Sequence, residues 1–235
     1  MGDTDTTAPP PPDERRERRW SHLALVAVIA AGLLVIGGAT AVALGIGRPP
    51  TPTSAGVDAG FARDMAAHHL QGVEMANLAL QRSADPEVRG LAFDISSTQT
   101  NQAGRMQGWL ALWGLPQSGG APMAWMTDAG AGMTMDMGGP TAADGMPGMA
   151  TEQELEELRT LTGAAFDVRF LQLTIRHHGG ALPMAKFAAE HADQAAVRSL
   201  ARSIASTQQA EVNTMEKMIR ARGGAPEPAT HEQPG

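Results

Sequence analysis

Cysteine is missing from all 235 residues. Its absence removes disulfides, thiolate metal sites and attachment through a lipoprotein cysteine. Basic residues form no stripe outside the N-terminus and the net charge is −7, so the electrostatic footprint of a nucleic-acid binder is lacking. The period-two alternation that writes β-strands is almost absent, which argues against a sheet protein. No Glu-x-x-His motif occurs anywhere in the sequence, and di-iron bundles depend on two of them.

What the chain does have is a duplication. Residues 61–114 align without a gap on residues 170–223 at a constant offset of 109, with 16 of 54 pairs identical. His68-His69 and His177-His178 fall at the same register in the two copies. A duplicated imidazole pair can bring four nitrogen ligands together across a pseudo-two-fold axis, so metal binding is the leading expectation.

Composition divides the chain along its length. Residues 1–22 are read as a disordered cytoplasmic N-terminus and 223–235 as a disordered tail, since neither can bury enough apolar area to offset ordering. Between Leu23 and Ile46 runs an uncharged segment of 24 residues, about 36 Å as a helix and enough to cross a bilayer. Arg15, Arg16, Arg18 and Arg19 precede it, Trp20 sits at the expected interface, and Arg48 follows. The positive-inside bias leaves the N-terminus in the cytoplasm and exports the rest. The competing reading is a cleaved signal peptide with Ala41-Val42-Ala43 at the cleavage site, which would release the body as a secreted protein.

Residues 47–56 form a Pro-rich tether. Periodicity and capping signals then predict an all-α, four-helix bundle over 57–222, made of two tandem helical hairpins. The expected helices span about 57–82, 85–113, 164–191 and 194–221. Asp85 and Pro86 open the second, and Asp193 is expected to cap the last. Thr151 with Glu154 makes a capping box for a short helix through Leu161. Pro183 inside the third main helix predicts a kink just after the second histidine pair.

At 100° per residue, Phe61, Met65, His68, Gly72, Met75 and Ala79 share one face. Phe170, Thr174, His177, Ala181, Met184 and Ala188 share its counterpart. His69 and His178 flank these stripes. The partner helices present Val88, Ala92, Ile95, Gln99, Gln102 and Met106, and Val197, Ala201, Ile204, Gln208, Glu211 and Met215. Gln99, Gln208 and Glu211 are the expected acceptors for imidazole N–H groups, which metal-bound histidines normally require. Met65 and His69, four residues apart, can share one ion. His68 and Met75, about 10.5 Å apart along the axis, cannot do so without another helix. The expectation is a central histidine site or separate His and Met layers.

Half of the 14 methionines lie in residues 114–150, read as a long loop. Thioether sulfur is a soft ligand that selects Cu(I), so Met133, Met135, Met137, Met146 and Met149 form a candidate Cu(I) loop; the alternative is a segment folded back to bury its methionines over the bundle.

FARDMAAHHLQGVEMA and FLQLTIRHHGGALPMA, with GMPGM and TEQELEEL between them, resemble the ferritin-like family called domain of unknown function 305. Extracytoplasmic copper-binding proteins of the CopM type belong to it. The resemblance implies a four-helix bundle and, for some members, copper binding linked to copper tolerance. It carries metal positions onto His68, His69 and Met75 in the first copy, His177, His178 and Met184 in the second, and Met65 before the first pair; Thr174 stands where the second copy would carry another methionine. The expected function is extracytoplasmic copper binding or sequestration without turnover, with zinc as the alternative ion, since imidazole serves both. The rival classes are a structural or protein-interaction bundle with hydrogen-bonded core histidines, and a di-iron oxidase, which the missing Glu-x-x-His disfavours.

Overall fold

The protein is described by a computed structural model that covers residues 12–47, 50–127 and 145–226. The chain divides into two compact units, residues 1–49 and 50–235. The first unit contains one helix, α1 (Pro12–Ala43), followed by turns to Gly47. It starts earlier than the apolar run: residues 12–22, expected to be disordered, are helical, in keeping with the high helix propensity of the Glu- and Arg-rich segment. Leu23, Val28, Leu34 and Val42 are all exposed along it. Length and composition suffice to cross a membrane, a property that anchors and signal sequences share.

The second unit is built from α2 (Val57–Arg82), α3 (Pro86–Leu112), α4 (Ala124–Thr127), α5 (Glu152–Thr160), α6 (Gly163–His191) and α7 (Ala195–Ala221). Packing of α2 on α3 and of α6 on α7 makes two hairpins, which meet through α2 and α6. Asp85 caps α3 as its sequence predicts, its carboxylate accepting from the amides of Glu87 and Val88. The capping box of α5 is also formed, Thr151 Oγ1 accepting from Glu154 N while Glu154 accepts from Thr151 N at 2.8 Å. Asp193 does not cap α7. Its own amide and that of Gln194 donate to the carboxylate of Asp58, at 3.0 and 2.9 Å, so a side chain from the first turn of α2 closes this end. Helix α6 runs through Pro183 as one element.

The stretch read as a long loop contains α4, which docks on the bundle. Asp64 accepts from Met123 N and from the Trp125 indole N–H at 2.8 and 2.7 Å. Gly60 makes room for the indole: a Cβ there would lie 2.2 Å from Trp125. The tether is pinned at its end, since Arg63 donates to the Ser54 carbonyl and Gln194 to that of Pro50.

Two apolar clusters fill the bundle. One holds Phe61, Met65, Met106, Trp125, Met184, Phe187 and Ile204 with their neighbours; the other holds Met75, Ile95, Leu158, Phe166, Phe170, Met215 and Ile219. Each long helix passes from one cluster to the other. Helix α2 leaves the first after Ala66 and joins the second at Met75, and α6 leaves the second after Ile175 and joins the first at Ala181. The residues between the clusters form a buried polar layer, and both histidine pairs lie in it.

Candidate metal centre

All four imidazoles of the two pairs are fully buried, at 0% exposure. His68 and His177 meet across the pseudo-two-fold axis with ring centroids 3.9 Å apart, tilted by 36°. His178 lies beside His177 at 6.1 Å. The convergence that the repeat predicts is therefore present for His68 and His177, with His178 alongside.

Every one of these rings uses its Nε2. His68 donates to the Pro147 carbonyl at 3.1 Å and His177 to the His68 carbonyl at 3.0 Å. His69 donates to the Gln102 amide oxygen at 2.7 Å, and His178 to the Glu211 carboxylate at 2.8 Å. Oxygens of these kinds accept, so each ring carries a proton on Nε2, and a neutral ring then keeps its lone pair on Nδ1. None of the four Nδ1 atoms has a protein partner.

Glu211 performs the role that sequence periodicity gives it, but Gln99 and Gln208 do not. Both are buried, and neither the nitrogen nor the oxygen of either amide has a partner. The acceptor for His69 is Gln102, one turn further along α3. Its signal was available: Gln102 is the repeat mate of Glu211, at the same offset of 109 that relates the histidines. Gln99 instead fills the space over Gly72, where a Cβ would sit 2.2 Å from Gln99 Oε1 and 3.1 Å from His177 Cε1. The small residue one turn after His68 is what lets the amide and the ring approach α2.

Burial holds three of these rings, His68, His69 and His177, neutral. It lowers His68 to about 4, against a partial rise from the Pro147 hydrogen bond. Burial again, with the neighbouring His68, takes His69 to about 3, while His177 is driven well below the usual range by burial and by His68 and His178. Neutral rings with free lone pairs are ready to ligate without first losing a proton.

The segment after residue 144 straps this layer. Gly148 has a φ of +78°, and a Cβ there would meet the Arg176 carbonyl at 2.5 Å. Facing it, a Cβ on Gly180 would lie 2.2 Å from the Pro147 carbonyl oxygen. Two glycines thus let backbone lie on backbone and deliver the Pro147 carbonyl to His68. Gln71 clamps Ala150, donating to its carbonyl and accepting from its amide, at 2.8 and 2.7 Å. Beyond the strap, Glu154 of α5 accepts from Arg176 at 2.7 Å. Burial alone would raise Glu154, yet its bonds to Arg176 and Thr151 bring it to about 2.

The methionines divide between the two apolar clusters. Met65 and Met184, from different copies, share one, while Met75 lies in the other with Met215. This is the layered arrangement, with thioethers above and below the histidines. Met146 and Met149 are buried in the cluster with Met65 rather than displayed on a loop. Met133, Met135 and Met137 fall outside the described residues.

The donor set fits a soft or borderline cation. Among the described residues no three His, Asp or Glu groups stand as a preset cage for an ion. Soft cations accept thioether sulfur beside imidazole nitrogen, and buried thioethers flank this layer.

A family model for a domain of unknown function, DUF305, matches residues 58–219. No curated protein matches the chain. Among solved structures, a DUF305 protein of Streptomyces coelicolor is 41% identical, covering 75% of this chain and 99% of its own, with a TM-score of 0.66. A DUF305 fragment of Deinococcus radiodurans is 33% identical over 73% of this chain and 99% of its own, with a TM-score of 0.57. CopM in a Cu(I)-bound form shares the fold at 24% identity, covering 71% of this chain and 98% of its own, with a TM-score of 0.53.

Proposed function

The chain belongs to the DUF305 family, and on that premise we propose that it is a membrane-tethered protein that binds copper outside the cytoplasm, holding it or handing it on without chemical turnover. One observation carries the reading. Four buried imidazoles each have Nε2 committed to an acceptor and Nδ1 left without one. A buried polar atom without a partner costs about 1–3 kcal/mol. A purely structural histidine network would pair both nitrogens, whereas a ligand site leaves one lone pair for the ion and orients the ring through the other.

His68, His69, His177 and His178 would supply nitrogen, and Met65, Met75 and Met184 sulfur. Copper accepts both. The shared fold with CopM, which has been solved with Cu(I), Cu(II) and Ag bound, supports this choice of ion. The arginines before the apolar part of α1 support an N-terminus in the cytoplasm and a body outside it.

The test is a titration of the full chain with Cu(I), Cu(II) and Zn(II) against competing chelators, beside the double variant His68→Phe, His177→Phe. The wild type is expected to take copper in preference to zinc, and the variant to lose that uptake. Tight zinc binding without copper, or undiminished copper binding by the variant, would overturn the proposal.

A further inference from the structure

Arg63, near the start of α2, is a buried cation, 9% exposed, that forms no ion pair among the described residues. Its hydrogen bonds all go to neutral acceptors. Nε donates to the Pro116 carbonyl at 3.3 Å, and Nη2 to the Ser54 carbonyl and hydroxyl at 3.2 and 3.3 Å. Nη1 has no acceptor among the described residues. Holding these loops does not require a charge, as the second copy shows. The repeat mate of Arg63, at the offset of 109, is Gln172. Its neutral amide donates to the Ala225 carbonyl at 3.0 Å, and Ala225 is itself 109 residues after Pro116. The charge and the Nη1 donor of Arg63 are thus surplus to the clamp, and a buried charge is costly unless it is paired.

Arg63 lines an open pocket of about 500 Å³ whose wall is mostly apolar, made by Pro116, Ala121, Ala124 and Trp125 among others. A Cβ on Gly120, another lining residue, would lie 3.9 Å from Nη1, which places the spare donor on the pocket side. The neighbouring Asp64 is turned to Met123 N and the Trp125 indole instead.

We propose that this pocket binds an organic carboxylate, with its anionic head on Arg63 Nη1 and its apolar body along Trp125 and Pro116. Small-molecule sites commonly have this size and this pairing of apolar walls with one or two polar groups. A bare inorganic oxyanion would leave most of the space unfilled. A phosphate would also bring about 1.5–2 negative charges to one guanidinium, with the Asp64 carboxylate next in the chain, whereas a carboxylate brings one. The pocket shares no residue with the histidine layer, so the inference stands apart from the copper reading.

The experiment titrates the full chain with phenylacetate, its neutral counterpart phenylacetamide, and inorganic phosphate, following the 15N signals of the Arg63 guanidinium and the Trp125 indole. Phenylacetate is expected to shift both signals saturably and to bind about tenfold or more tightly than either other probe, because its hydrogen bond to Arg63 is charge-assisted. Arg63→Gln, which copies Gln172, should weaken phenylacetate about 10- to 100-fold. Arg63→Lys restores the charge and should bind more tightly than Arg63→Gln. If Arg63→Gln fails to fold by circular dichroism, the comparison of acid with amide on the wild type decides. No saturable shift at Arg63, equal affinity for acid and amide, or undiminished binding by folded Arg63→Gln would overturn the inference. Phosphate binding more tightly than phenylacetate would overturn it too, in favour of an inorganic anion.

Discussion

Gly179 and Gly180 are adjacent in α6, yet alanine at each is expected to act in opposite directions. A Cβ on Gly179 meets nothing within 4 Å. Alanine there gains helix propensity, about 1 kcal/mol. A Cβ on Gly180 would stand 2.2 Å from the Pro147 oxygen, 2.4 Å from its carbon and 2.7 Å from Gly148 Cα. These are backbone atoms, so no side chain can swing aside and the strap itself must lift. Lifting it strains or breaks the His68 bond to Pro147 and the paired Gln71–Ala150 bonds. Overpacking costs about 1–3 kcal/mol and each lost hydrogen bond about 1 kcal/mol. After the same propensity gain, Gly180→Ala should be less stable than wild type by about 2 kcal/mol and less stable than Gly179→Ala by about 3 kcal/mol. Urea unfolding of the two apo variants measures both differences. Equal stability of the two would refute the close backbone contact, and with it the account of how His68 acquires its tautomer.

Acid should weaken the apo protein earlier than carboxylate titration would. His68 and His69 fall from 6.5 to about 4 and about 3 on folding, so the unfolded chain binds more protons and stability drops as pH falls below 6.5. His68 alone accounts for about 3 kcal/mol by pH 4, and urea midpoints that stay flat from pH 7 to 4 would contradict it. Glu154, at about 2, contributes stability that is lost only as pH falls from about 4.5 through that value. Glu154→Gln keeps the capping box but removes the charge facing Arg176, and should cost about 2 kcal/mol, a loss below that of a deeply buried pair; an unchanged melting temperature would argue against the clamp. Gln99→Leu removes two buried polar atoms without partners and should stabilise the apo protein by about 1 kcal/mol or more, whereas destabilisation would show that the amide is satisfied.

Much of this architecture could be read from the residues. Asp85-Pro86 and the Thr151–Glu154 box mark helix starts because their partners are two or three positions away. The buried stripes from Phe61 to Ala79 and from Phe170 to Ala188 follow from 100° per residue. Long-range backbone contacts are what escaped. Asp58 serves amides 135 and 136 residues away, so the nearer Asp193 looked like the cap. Gln99 and Gln102 differ by one turn, and periodicity alone does not say which reaches a ring on the next helix. The Pro147 and His68 carbonyls carry no side-chain pattern at all. Only Gly148 and Gly180 hint that backbone lies on backbone there.

The most direct measurement is long-range 1H–15N NMR of the full chain with 15N-labelled histidine, before and after addition of Ag(I). In the apo protein His68, His69 and His177 should all show protonated Nε2 and unprotonated Nδ1, and the ion should shift Nδ1 while Nε2 keeps its proton. Rings that ignore the ion, or that bind it through Nε2, would contradict the account.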